Sequence, residues 1–216
     1  MIRQRPILVA RRFPAPKNWS SFFLVLFVLA TLSIAVHWLT RPAPSGPNNL
    51  PALSTIFTPQ VRHWSPLIYA WATAYNVDPN LIATVIQIES CGDPKALSSS
   101  GARGLFQVMP FHFRPGEDTF EVLTNGRRGM EYLASGLQLA SGNVGLALAG
   151  YNGGHGVIKI DQTRWSSETR RYFYWGTGIY TDAANGLSES PTMELWLKAG
   201  GSRLCKNASK NQAVAS

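Results

Sequence analysis

A mainly α-helical domain, preceded by one N-terminal transmembrane helix and a Pro-rich linker, is the architecture this sequence predicts. Three observations carry that expectation. Apolar residues recur at helical spacing in several segments after residue 60, helix-start and helix-stop residues punctuate those segments, and one long apolar run follows a cluster of cations near the N-terminus.

The chain has 216 residues, 45% of them hydrophobic, enough for one globular domain with short additions. Its formal net charge is +8, and five of its cations, Arg3, Arg5, Arg11, Arg12 and Lys17, precede residue 20 with no acid among them. The basic character therefore belongs mainly to segment 1–18, expected on the cytoplasmic side. A nucleic-acid partner would need a basic stripe on the folded domain, so none is expected. Residues 19–40, WSSFFLVLFVLATLSIAVHWLT, are long enough to cross a bilayer as a helix, with Trp19 and Trp38 near its ends. The Arg-rich flank orients the remainder outward. A cleaved secretory signal is the competing reading, although His37-Trp38-Leu39-Thr40 makes a poor small-residue cleavage site. Both readings place the domain outside the cytoplasm. Residues 41–59 hold five of the 14 prolines, so 41–60 is expected to be a linker, 61–206 the domain and 207–216 a flexible tail.

Within the domain, Leu67, Ile68, Trp71, Ala72 and Tyr75 share one side of a helix over 61–75. Asp78-Pro79 starts the next helix, Asp as N-cap and Pro at its first position, and Cys91-Gly92-Asp93-Pro94 ends it. Glu89 falls near the middle of the stripe made by Ile82, Val85 and Ile86, so its carboxyl leaves the helix on the core side. Partial burial and the negative helix C-terminus both raise a carboxyl pKa, which is how a Glu is kept protonated as a general acid. The competing reading is a structural ion pair with Arg103 or Arg170.

A polar turn at 98–101 precedes an expected short helix over 102–109, stopped by Pro110. Residues 111–120 form a loop whose acids lack the alternation of a calcium site. Helical periodicity resumes over 125–140 and 144–151. Ser166-Ser167 caps a further helix through Tyr172, and Ser190-Pro191 starts one reaching Lys198. The only cysteines, Cys91 and Cys205, are expected to pair in an exported domain, which adds on the order of 4 kcal/mol in the chain-entropy account. The four His residues are scattered, so no metal is expected.

Glu89-Ser90, then SGARGLFQVMP over 100–110, AGYNGG over 149–154 and ETRRY over 168–172 follow one another in an order that resembles the lytic transglycosylases of the soluble lytic transglycosylase type. The resemblance covers roughly residues 65–180 and implies a lysozyme-like fold acting on bacterial peptidoglycan, with the bacterial plasma membrane as the anchoring surface. It implies Glu89 as the catalytic acid and base, and Ser90, Gln107, Met109, Tyr151, Asn152, Glu168 and Tyr172 as substrate-binding or cleft residues. Read without it, Gln107 is a surface amide, Met109 core or cleft wall, Tyr172 a packed aromatic and Glu168 a first-turn acid favoured by the helix dipole. Gly150 and Gly153 stand where the family has alanines, and His155 where it commonly has Pro. The aromatic run 172–175 is expected to be mostly core, with one or two faces free to stack on sugar rings.

An ordinary glycosidase needs two carboxyl groups, and only Glu89 has a strong case here. The resemblance implies that substrate supplies the nucleophile, giving 1,6-anhydro-muramic products with no cofactor. A goose-type lysozyme, which hydrolyses the same bond, and a non-catalytic membrane-tethered wall-binding protein are the alternatives.

Overall fold

The computed structural model describes residues 52–213, and the basic segment, the expected transmembrane helix and residues 41–51 of the expected linker lie outside them. Among the described residues the architecture is mainly helical, and no helix is long and apolar enough to cross a membrane. The principal helices are α1 (Pro59–Arg62), α2 (Ser65–Tyr75), α3 (Pro79–Glu89), α4 (Val122–Leu139), α5 (Val144–Gly153), α6 (Ser167–Ala184), α7 (Pro191–Trp196) and α8 (Ser202–Ala213).

Helix α3 is the central element, packed against α2 on one side and α6 on another. Asp78 caps it by accepting from the Asn80 amide at 2.8 Å. The stripe expectation was too narrow: Leu81, Ala83, Thr84 and Gln87 are buried along with Ile82, Val85 and Ile86. Each large apolar side chain so buried stabilises the fold by about 1.5–3 kcal/mol. Two of its buried polar groups are satisfied from outside the helix. Asn80 Oδ1 accepts from the Ser54 amide at 2.9 Å, and Gln87 Oε1 accepts from the Thr58 amide at 3.1 Å. These bonds correct the linker boundary, because Ser54 and Phe57 are buried and the packed domain starts well before residue 61.

Two further corrections follow from close packing. The helix expected over 61–75 is two, because the chain turns at Trp64 and restarts with Pro66 in the first turn of α2. The expected tail is helical through Ala213: Ala208 is buried, Asn211 donates to Asp93 at 2.8 Å, and Gln60 donates to Ser209 at 2.7 Å. Cys91 and Cys205 are joined, tying the end of α3 to α8 across 114 positions. Gly92 follows with φ +85, and a Cβ there would lie 2.5 Å from the Gln60 carbonyl, so this turn requires glycine.

Helix α4 starts earlier than its periodicity implies, since Glu121 accepts from the amides of Leu123 and Thr124. Helix α5 packs between α4 and α6. Ser166 caps α6 by accepting from the Thr169 amide at 3.0 Å, and that helix runs to Ala184, far past Tyr172.

Candidate active site

Residues 102–109 are not helical. Gly101, Gly104 and Gln107 all have positive φ, and Leu97, Arg103 and Val108 pair as isolated β-bridges instead. Asn125, fully buried on α4, holds this loop in place: its Oδ1 accepts from the Phe106 amide at 2.9 Å, and its Nδ2 donates to the carbonyls of Arg103 and Thr119. Gly104 lets the backbone approach, for a Cβ there would lie 2.5 Å from Asn125 Nδ2. Periodicity gave no sign of Asn125, because the residue acts through three backbone partners distant in sequence.

Ser90 is buried, and its hydroxyl donates to the Leu105 carbonyl at 2.7 Å while accepting from the Gly92 amide. Its side chain therefore braces the end of α3 against the loop, where the resemblance implied substrate contact. Gln107 spends both amide hydrogens on the carbonyls of Ala96 and Gly104, leaving its carbonyl oxygen as the free group. Together with Met109, Tyr151 and Asn152 it lines a hollow that also takes in Phe111, His112 and Tyr132. Tyr132 stacks on His155 with ring centroids 4.0 Å apart, and burial followed by the neighbouring His155 lowers the pKa of His112. Phe111 is 75% exposed at the edge of this hollow.

A second hollow lies beyond Asn152, which borders both. Glu89 is half-buried in its wall, with Ile88, Glu168 and Tyr172 around it. Among the described residues no cation forms an ion pair with Glu89. Arg103 donates to Thr119 and lies over the Phe120 ring, and Arg170 donates to the Trp165 carbonyl. Desolvation pushes the Glu89 pKa up to about 8; the charge of Glu168 adds to this, and the nearby Tyr172 hydroxyl opposes it. That hydroxyl is buried without a partner in hydrogen-bonding geometry. Tyr151 donates to the Phe106 carbonyl at 2.9 Å, and burial, then Glu89, raises its pKa.

Glu168 is exposed at the rim, 3.4 Å from Asn152 Nδ2. Thr169 donates to Asn152 Oδ1 at 3.0 Å, and Gly153 makes room for it, since a Cβ there would lie 2.6 Å from Thr169 Oγ1. The glycine that departs from the resemblance thus has a packing role. Of the aromatic run, Tyr172 is buried, Tyr174 is exposed, and Trp175 borders the Glu89 hollow with Trp196. The acid of the 111–120 loop that matters is Glu117, which Arg128 and Arg127 grip at 2.6 and 2.8 Å, lowering its pKa to about 2.

The fold and this site define a helical domain with two adjoining hollows that meet at Asn152, one of them walled by a carboxylic acid whose pKa burial pushes up to about 8. A family model described as the transglycosylase SLT domain matches residues 66–173, half of the chain, and the chain belongs to that family. It is 34% identical over 111 residues to a transglycosylase of Enterobacteria phage PRD1, covering 50% of this chain and 40% of that protein. Over 69 residues it is 35% identical to membrane-bound lytic murein transglycosylase E of Buchnera aphidicola, covering 32% of this chain and 29% of the relative. The chain thus spans under half the length of these relatives. An inactive mutant of the lytic transglycosylase Slt from Pseudomonas aeruginosa aligns at a TM-score of 0.48 and 24% identity, covering 62% of this chain and 26% of that one.

Proposed function

We propose that this protein is a peptidoglycan lytic transglycosylase that cleaves the β-1,4 bond between N-acetylmuramic acid and N-acetylglucosamine, with Glu89 as its general acid and base. The observation that carries the reading is a half-buried Glu89 that, among the described residues, pairs with no cation and whose pKa burial pushes up to about 8. As an acid it protonates the bridging oxygen while the bond from that oxygen to the muramic C1 breaks. The substrate's acetamido oxygen stabilises the positive carbon. The resulting carboxylate takes the proton of the sugar's own 6-hydroxyl, whose oxygen bonds to C1 and closes a 1,6-anhydro ring. Glu89 ends protonated again and no water is consumed. Tyr151 and Asn152, with the free carbonyl oxygen of Gln107, border the groove as partners for sugar hydroxyl and acetamido groups.

The test is mass spectrometry of sacculi digested by wild type and Glu89→Gln. General acid catalysis contributes about 10²–10⁴-fold, so the variant is expected to release anhydro-muropeptides at least a hundredfold more slowly. Equal release would sink the reading. A second reading has one observation in its favour: Glu168 shares the hollow with Glu89, as the base of a goose-type hydrolase would. Products one water heavier than the anhydro species identify it.

We further propose single-pass anchoring of the domain outside the cytoplasm through residues 19–40, a cleaved, secreted form being the alternative. Fractionation of the full chain, with the protein found in membranes and accessible to external protease, checks it.

A further inference from the structure

Resting on the proposed glycan cleavage, we infer that Arg171 is a specificity residue that receives a substrate carboxylate beside the scissile bond. Arg171 lies on α6 in the wall of the hollow that contains Glu89, and it is exposed. Among the described residues no acid lies within ion-pair distance of it, although Glu168 stands three positions back on the same helix. The adjacent Arg170 is employed differently, donating to the Trp165 and Thr163 carbonyls. One arginine of the pair secures the start of α6, and the other is left facing the groove.

Of the two acids in the hollow, Glu168 repels anions and a protonated Glu89 carries no charge, so Arg171 is the group there that attracts them. A guanidinium fork in that setting matches a planar carboxylate bidentately, and Trp175 and Trp196 supply an apolar flank. Arg171 is not among the causes of the Glu89 shift, so its charge does not draw off the proton that the reaction needs. Sugar hydroxyls require no cation. In peptidoglycan, carboxylates come from two sources: the lactyl ether of muramic acid when it carries no peptide, and the stem peptide when it does.

Full-length wild type, Arg171→Gln and Arg171→Lys are compared on native sacculi, on sacculi whose stem carboxylates have been amidated, and on peptide-free glycan strands. The Gln variant is expected to be about tenfold slower than wild type on the substrate that carries the recognised carboxylate, native sacculi for the stem or peptide-free strands for the lactyl group, with Lys recovering part of the loss. Should the stem supply the anion, amidation slows wild type by a similar factor and abolishes the difference between wild type and Gln. Should the lactyl group supply it, the difference is largest on peptide-free strands. Equal rates for wild type and Gln on native sacculi and on peptide-free strands overturn the inference, as does one common loss on all three substrates. Wild type that yields no anhydro product from any of them defeats the underlying reading instead, and this inference with it.

Discussion

Gln87 and Glu89 stand two residues apart on α3, yet their polar atoms are treated in opposite ways. Gln87 is fully buried, its oxygen accepting from both the amide and the hydroxyl of Thr58, its nitrogen donating to Cys91 Sγ at 3.1 Å. Glu89 has no cationic partner among the described residues, and the Tyr172 hydroxyl, though close enough to lower the Glu89 pKa, is buried without a partner in ideal hydrogen-bonding geometry. Buried polar groups with partners hold a structure together, whereas those left wanting mark a place that a ligand completes. On the proposed reading, one helix thus carries a structural half and a reactive end.

Substituting the acid should separate the halves most widely. Glu89→Gln is expected to lose at least a hundredfold in cleavage while gaining stability. Unfolded, Glu89 titrates near 4.5, and folded, near 8. Between those values the folded state retains a proton that the unfolded state has given up, so the stability Glu89 contributes is fully present below about 4.5 and is lost as pH rises through 8. At neutral pH the neutral amide escapes this cost, worth about 1–3 kcal/mol, and thermal melting should rise by several degrees. A lower melting temperature would place Glu89 among the structural groups.

Opening the Cys91–Cys205 bond with Ser at both positions acts on the structural half. It should cost up to about 4 kcal/mol, read by denaturant unfolding. Asn125→Ala follows at about 2–3 kcal/mol, because it strands the Phe106 amide and takes a donor from the Arg103 and Thr119 carbonyls. That variant should also weaken catalysis, since the loop presenting Gln107 loses its anchor.

The finest distinction comes from pH profiles. Cleavage should decline above about pH 8 as Glu89 ionises. Tyr172→Phe removes a group that lowers the Glu89 pKa, so the alkaline limb should move up, whereas Glu168→Gln removes a charge that raises it, so the limb should move down. Shifts in the same direction would break the electrostatic account. Stability should change little in either variant, as neither side chain is held in the network around Gln87.

Much of the helical frame was legible because its signals are local. Asp78-Pro79, Ser166 and Ser190 cap the helices they were expected to cap. Residues 102–109 misled, since their composition suits a helix while Gly101, Gly104 and Gln107 adopt left-handed backbone fixed by Asn125 and by bonds such as Gly104 to the Ala96 carbonyl. Ser90 differs in another way: the resemblance implied a substrate contact, whereas its side chain points to Leu105.

The sequence by itself determined that an acid would end an apolar helix, because capping, chain reversal at Cys91-Gly92 and helical spacing all act within a few residues. Only the tertiary structure decided that this acid keeps its proton. Burial raises its pKa, and from α6, nearly eighty residues further along the chain, the Glu168 charge adds to that and the Tyr172 hydroxyl opposes it; such effects depend on distance through space, not on position in sequence.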